Sequence, residues 1–452
     1  MLTLPAVVLL LAVAAGCSTD AALPEGDPPA LPGTDATTKP TAAPTVPATT
    51  SPPTTAVCDQ RPRLDAGLEP VPGDLRARVD EALADPRFAG VQSSISVWVE
   101  GYGEVAAVAP DDPLLPASNQ KLMTAVGSRL LLDPAGRFRT EVRRTPDGSG
   151  LVLVAGGDPT LQAEGLHSLA ALAAQVRGAG VDHATTLTVD VSRFDSDTAL
   201  EGWQDWQIPT YSGPLSALTV DDNRDRTDAA YLADPATGNA EVFATALRAA
   251  GVTVDGPVLV ETRRASGITM PSPAATGPVV AALDSAPFAE LSRDMLTRSD
   301  NEIAEALVRE LGGGSTPNGV ARIAVAVEPW CLHLTGRSGD GSGLSRSDLR
   351  SAREWRRLLQ ALEGQPWASE VVSGLPVAGR SGTLLGRLRG PATIDNVRAK
   401  TGTIIGGSSL SGYATTADGR AVVFSIVVNG DPPAAQRAIG AIDRLVTAVV
   451  SP

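Results

Sequence analysis

The sequence predicts an α+β layer fold, and three observations lead there. Val397 to Ile405, Ser409 to Thr415 and Arg420 to Val428 read as successive strands, with Asp418-Gly419 as the turn between the last two. Ala434 to Val449 follows with the apolar spacing of an amphipathic helix. Near the other end, Leu75 to Leu83 has helical spacing and precedes Ser94 to Val99, which alternates like a strand. Helices at both ends of an antiparallel set can cover both of its faces.

The N-terminus reads as an export signal. Ala6 to Ala15 is an unbroken apolar run, too short to span a bilayer comfortably. It ends in Ala14-Ala15-Gly16-Cys17, which resembles a bacterial lipobox, where the chain is cut before a cysteine that then carries lipid. From Ala36 to Ala56, 18 of 21 residues are Thr, Pro or Ala, too little apolar surface to fold. Stiffened by proline, the stretch from Cys17 to Cys58 would reach roughly 130 Å at about 3.1 Å per residue. That suits a tether between a membrane and a folded domain.

Order is expected from about Leu75. A short strand near Val105 to Val108 precedes Ser118, which stands where a helix begins, and Lys121 to Leu132 continues as that helix. Leu151 to Thr262 alternates strands (Leu151 to Val154, Thr185 to Val191) with helices (Leu166 to Arg177, Val242 to Ala250). Ser285 to Leu311 reads as helical and contains Ser299-Asp300-Asn301. Gly312-Gly313-Gly314 lacks the Gly-Lys-Ser/Thr of a phosphate loop and reads as a helix stop.

Composition excludes several functions. The length suits one large domain with an insertion, or two to three domains. A net charge of −14 argues against nucleic acid as partner and against electrostatic docking on an anionic membrane. His167, His183 and His333 lie far apart without ligand spacing, so neither a metal site nor a Ser-His-Asp triad is expected, and no cofactor. If Cys17 is acylated, Cys58 and Cys331 remain, and two cysteines in an exported protein can pair. Two inert buried thiols are the alternative.

Lysine is the residue that points to chemistry. It occurs only at Lys39, Lys121 and Lys400; the other 34 of the 37 basic residues are arginine. Arginine stays charged, whereas a buried lysine can lose its proton and act as a base. Ser118 and Lys121 are three apart and share a helix face. A serine hydroxyl needs a base, and a lysine amine serves only if burial or a nearby positive charge lowers its pKa. Lys400 is expected to supply that charge. Ser299 and Asn301 could point from a turn into the same cleft, as relay and clamp. Lys400-Thr401-Gly402 on an edge strand offers a cation, a hydroxyl, and a glycine that lets a substrate backbone approach.

The order and spacing of these motifs resemble the class C low-molecular-mass penicillin-binding proteins, the D-alanyl-D-alanine carboxypeptidase/endopeptidase family. The resemblance extends to Gly156-Gly157-Asp158-Pro159-Thr160-Leu161, Tyr211-Ser212-Gly213-Pro214-Leu215-Ser216-Ala217-Leu218, Asp340-Gly341-Ser342-Gly343-Leu344-Ser345-Arg346 and Ser381-Gly382-Thr383-Leu384. It covers about residues 70 to 450. It implies a β-lactamase/transpeptidase-like domain, an antiparallel sheet with helices on both faces, at 70–150 and 271–452. Ser118 and Ser299 are 181 positions apart, which leaves room for one inserted α/β domain at 150–270. A signal peptide at 1–17 and a disordered linker at 18–57 complete the expected organisation.

The implied activity is hydrolysis of D-Ala-D-Ala, and of D-Ala–diaminopimelate cross-links, in peptidoglycan stem peptides, with acylation by β-lactams. Ser118 would be the nucleophile and Lys121 its base, with Ser299, Asn301 and Lys400 moving protons and holding substrate. The N–H groups of Ser118 and Thr403 would form an oxyanion hole. Thr401, Gly402 and Thr403 would bind the substrate, and Asp190, Ser342 and Arg346 match further cleft positions. A serine β-lactamase and a catalytically silent cell-wall-binding protein are the alternatives. The implied location is extracytoplasmic, tethered to the membrane if Cys17 is lipidated.

Overall fold

The computed structural model describes residues 68–225, 230–263, 277–332 and 334–452. In chain order the strands are β1 (Val91–Val99), β2 (Gly103–Val108), β3 (Arg139–Arg144), β4 (Leu151–Val154), β5 (His183–Ala184), β6 (Leu187–Asp195), β7 (Thr253–Val254), β8 (Val258–Arg263), β9 (Val279–Asp284), β10 (Arg398–Ile404), β11 (Gly407–Thr415) and β12 (Ala421–Gly430). The helices are α1 (Gly73–Leu83), α2 (Lys121–Leu131), α3 (Leu169–Gly178), α4 (Gln207–Thr210), α5 (Pro235–Ala249), α6 (Phe288–Arg298), α7 (Asn301–Leu311), α8 (Thr316–Val327), α9 (Ala352–Glu363), α10 (Ala368–Val372) and α11 (Pro432–Val450).

The first sheet has the order β10-β11-β12-β1-β2, and every neighbour is antiparallel. β11 and β12 are buried almost end to end because helices cover both faces. Strand alternation then splits their side chains between two cores. Val422, Phe424, Ile426 and Val428 join Leu75 and Val79 of α1 and Ile442 and Leu445 of α11, whereas Val423 and Val427 join Leu122 of α2 and Trp355 of α9. The capping box of Ser351 and Glu354 starts α9, and Tyr413 Oη of β11 donates to Leu359 O to fix it on the sheet at 2.8 Å.

The second sheet has the order β8-β6-β4-β3-β9. β4, β6 and β8 are parallel, with α3 and α5 as their crossover helices; β3 is antiparallel to β4 and β9. The sheet therefore draws in β3 and β9, which lie outside the expected 150–270. β3 (RTEVRR) escapes a hydrophobic pattern search because its outward side chains are ions: Arg139 pairs with Glu141 at 2.8 Å and with Asp284 of β9 at 2.9 Å. Leu153, Val189 and Phe243 of this region share one apolar cluster with Leu122 and Leu307 of the helical region, so the two are packed together through a common core.

The helix expected over Ser285 to Leu311 is two helices. Ser299 adopts a left-handed φ of 63° that ends α6, and Asp300 accepts from Ile303 N at 2.9 Å to cap α7. The apolar spacing continues across the break, which hides it in the sequence. Gly312 caps the C-terminus of α7, as the glycine run suggested.

Candidate active site

Ser118 lies in a 3-10 turn, Ala117–Gln120, that runs straight into α2. Ala117 has φ 48°, a left-handed backbone that costs a non-glycine residue on the order of 1–3 kcal/mol. The surroundings hold it there. Asn119 Nδ2 donates to Ser411 Oγ at 2.5 Å, Gln120 Nε2 to Asp340 O at 3.1 Å, and Ser409 Oγ to Pro116 O at 2.6 Å. Two glycines let other backbone lie against the turn. A Cβ on Gly402 would stand 2.6 Å from Pro116 O, and one on Gly343 would stand 1.9 Å from Ala117 O. The side-chain space that Gly402 leaves open is taken by Ser409 Oγ and by the nucleophile's own turn.

Lys121 is fully buried, and its Nζ lies 3.1 Å from Ser118 Oγ, 2.6 Å from Asn301 Oδ1 and 2.7 Å from Ser342 O. A neutral amine has two hydrogens and one lone pair. The carbonyl oxygens of Asn301 and Ser342 can only accept, so they take the two hydrogens and leave the lone pair facing Ser118 Oγ. Asn301 Nδ2 donates to Tyr211 O at 2.7 Å, which sets the amide the right way round. Burial lowers the Lys121 ammonium to about 8, against the Asp340, Glu305, Asp300 and Glu302 carboxylates, which favour the charge.

Lys400 of β10 is also fully buried and donates to Ser299 Oγ and to Thr401 O, each at 2.8 Å. Burial, and then the charge of Lys121, push its pKa well below the usual lysine value. Burial is the larger cause for both amines, and the repulsion between them is mutual, so each disfavours the charge on the other. A polar row extends from Lys400 across the sheet: Ser411, Ser425 and Ser96 are its successive cross-strand partners, and Ser411 and Ser425 share a 2.7 Å hydrogen bond. The break at Ser299 brings Ser299 to Lys400 and Asn301 to Lys121. One cluster therefore joins Ser118, Lys121, Ser299, Asn301 and Lys400.

The model of the D-Ala-D-Ala carboxypeptidase 3 (S13) family matches residues 75–231 and 224–449. This chain belongs to that family. It is 32% identical over 444 residues to the D-alanyl-D-alanine carboxypeptidase of Actinomadura sp. (strain R39), covering 79% of this chain and 81% of that protein. It is 30% identical over 392 residues to carboxypeptidase DacB of Mycolicibacterium smegmatis, covering 81% and 80%. The fold is that of the crystal structure of penicillin binding protein 4 (dacB) from Haemophilus influenzae, with a TM-score of 0.66, 21% identity, and 78% and 93% of the two chains covered.

Other expected site residues of this S13 chain divide. Thr401 shares a 2.6 Å hydrogen bond with Thr383, and Thr403 is exposed on the same edge strand. Arg346 donates from its guanidinium to Ile405 O at 2.7 Å, beside the end of that strand. Ser342 does not line a cleft with its side chain: it is fully buried, and its Oγ donates to Asp340 Oδ2 at 3.2 Å. Its carbonyl, which holds Lys121, is the part that reaches the cluster. Asp190 sits on β6, where its carboxylate accepts from Ser192 N at 3.0 Å and from Ser192 Oγ; none of its hydrogen bonds leads to the Ser118 cluster.

Four further residues reach the cluster or its neighbours: Tyr211, Thr383, Glu305 and Asp340. The first two and Asp340 stand in motifs quoted for the family resemblance; Glu305 had no signal beyond its place four residues after Asn301. Cys331 is disulfide-bonded. Its expected partner Cys58 lies outside the described residues, as do Cys17, the apolar run, the Thr/Pro/Ala stretch and His333. Among the described residues no helix is long and apolar enough to cross a membrane, and no group of three or more His, Cys, Asp or Glu could hold a metal ion.

Proposed function

We propose that this chain is a serine-type D-Ala-D-Ala carboxypeptidase that cleaves peptidoglycan stem peptides through an acyl-enzyme on Ser118, and that penicillins acylate the same serine. The observation that supports this most is the Lys121 amine, whose two hydrogens are taken by Asn301 Oδ1 and Ser342 O while Ser118 Oγ lies 3.1 Å away. As Ser118 Oγ bonds to the scissile carbonyl carbon, its proton passes to the lone pair of Lys121. The carbonyl electrons move to oxygen, where the N–H groups of Ser118 and Thr403 stabilise the charge. The carbonyl re-forms, the C–N bond breaks, and the leaving D-alanine nitrogen takes the proton, with Ser299 as relay beside Lys400. Water then repeats the sequence on the ester and frees Ser118.

Thr401, Thr403 and Lys400 are the proposed binders of the terminal carboxylate. A carboxylate there would favour a charged Lys400, whose free-enzyme pKa burial and Lys121 depress. Arg346 and Asp190 are proposed to meet the stem peptide further out, Asp190 through a diaminopimelate amine and cross-links. The substrate lies outside the cytoplasmic membrane, so the enzyme acts there. Ala6 to Ala15 is proposed to export it, lipid on Cys17 to anchor it, and Cys58 to pair with Cys331. Palmitate labelling that persists in Cys17→Ala would remove the anchor; two free thiols by intact mass would remove the pair.

The deciding experiment is incubation with a fluorescent penicillin and with purified muropeptides. A long-lived adduct that is lost in Ser118→Ala, with release of D-alanine, is expected. Rapid turnover of a chromogenic β-lactam would instead assign a lactamase, and no adduct would leave a silent wall-binding protein.

A further inference from the structure

Behind the cluster lies a buried carboxyl with no part in the mechanism above. Glu305 is on α7, four residues after Asn301 and so on the same helix face, and is 1% exposed. Its Oε1 accepts from Gly341 N at 3.1 Å and from Ser342 N at 2.8 Å. The carbonyl of that same Ser342 accepts from Lys121 Nζ at 2.7 Å. One helix face thus holds the amine twice, directly through Asn301 and through a single residue by way of Glu305. The loop is clasped from its other sides as well. Thr124 Oγ1 of α2 donates to Gly341 O at 2.7 Å, and Asp340 accepts from Gly343 N at 2.7 Å and Ser345 N at 2.8 Å. A Cβ on Gly341 would stand 2.8 Å from Ala304 O, so the loop lies directly on α7.

We propose that Glu305 is a positioning residue for the general base: it holds the N–H of Ser342, the residue whose carbonyl aims the Lys121 lone pair at Ser118. The inference rests on the acyl-transfer reading and adds a residue to it. Without Glu305, two buried N–H groups lose their acceptor and the carbonyl opposite them loses its fixed direction. Its carboxyl also faces the amine. Lys121 is faced by Lys400 from β10, by Asp340 from the loop, and by Asp300, Glu302 and Glu305 from the α6–α7 turn and α7. Glu305 is faced in turn by Asp340 and Asp348 from the loop and by Arg309 from its own helix, and burial raises its pKa. Burial lifts the Glu305 carboxyl to about 8, so below that pH it is largely protonated and acts through the hydrogen bonds it accepts rather than through charge.

The test is the pH profile of the second-order rate of penicillin acylation, with melting temperatures measured alongside. Glu305→Gln keeps a carbonyl oxygen for both N–H groups and is neutral, as the protonated carboxyl is. Its plateau should stay within about threefold of wild type and the acid limb should stay in place. Glu305→Ala loses the acceptor and should acylate about a hundredfold more slowly at the plateau, with penicillin affinity before acylation unchanged. Glu305→Asp keeps the carboxyl, shortens the reach, and should lower the plateau without moving the limb. Wild-type rates in Glu305→Ala, or a Glu305→Gln plateau that falls as far as that of Glu305→Ala, would overturn the proposal. If Glu305→Gln does not fold, an undiminished plateau in Glu305→Asp overturns it. Failure of the wild type to take up penicillin would instead sink the acyl-transfer reading.

Discussion

Acylation of Ser118 should follow the deprotonation of Lys121, and the perturbation that tests this is pH alone. Burial holds the ammonium at about 8. The neutral fraction is then about one in ten at pH 7, one in a hundred at pH 6, and nine in ten at pH 9. The second-order rate with a fluorescent penicillin reports groups of the free enzyme, so it should rise about tenfold per pH unit up to roughly pH 7 and flatten above roughly pH 9. The same group has a second signature. Its folded pKa, about 8, lies below the usual 10.5, so the unfolded chain binds more protons between the two. Stability should therefore rise as pH climbs from about 8 to about 10.5, by at most about 3 kcal/mol from this residue. Stopped-flow acylation from pH 5.5 to 10 checks the first statement. A rate independent of pH between 6 and 9 would refute a lysine base, because it would require an amine already neutral at pH 6.

Three other perturbations have defined outcomes. Asn301→Asp places a carboxylate where Oδ1 now lies 2.6 Å from Lys121 Nζ; it favours the ammonium, so the acid limb of acylation should move to higher pH and the rate at pH 7 should fall. Gly343→Ala forces a Cβ to within 1.9 Å of Ala117 O at a φ of +89°, so urea unfolding should show a loss of about 1–3 kcal/mol, and acylation should slow because the nucleophile turn must shift. Trp355→Ala empties a fully buried site under α9 and should cost about 3–5 kcal/mol by the same assay, leaving the acid limb unmoved.

What was legible in the sequence was local. Ser118 and Lys121, Ser299 and Asn301, and Lys400 with Thr401 each sit within four residues of a partner, so spacing alone marks them. The strands β10 to β12 and the helix α11 were legible because nearly every residue obeys one period. The rest depends on groups that meet only after folding. Glu305 and Asp340 act on Lys121 through a loop some 200 residues from it, and no spacing rule links them. The break at Ser299 is a backbone event inside an apolar pattern that runs on through Leu296 and Ile303. The complete burial of both amines was also hidden, because burial belongs to packing.

The two lysines differ from the chain's buried arginines in what surrounds them, and this gives the last prediction. Arg309 and Arg350 are almost fully buried, and each has a carboxylate within reach: Asp195 at 3.3 Å and Glu354 at 3.9 Å. Among the described residues neither Lys121 nor Lys400 has a carboxylate oxygen within ion-pair distance. Both donate only to hydroxyls, a carboxamide and backbone carbonyls. A permanent charge in such a setting is poorly compensated, whereas a neutral amine is fully satisfied. Lys121→Arg should therefore remove measurable acylation at every pH, since a guanidinium cannot surrender its proton, and should cost about 3 kcal/mol or more of stability. Lys121→Met, neutral and close in length, should also be inactive but should unfold at higher urea than the arginine variant. If the arginine variant proved as stable as wild type at pH 7, the pocket would already be holding a compensated cation, and the lone pair assigned to Lys121 would not exist.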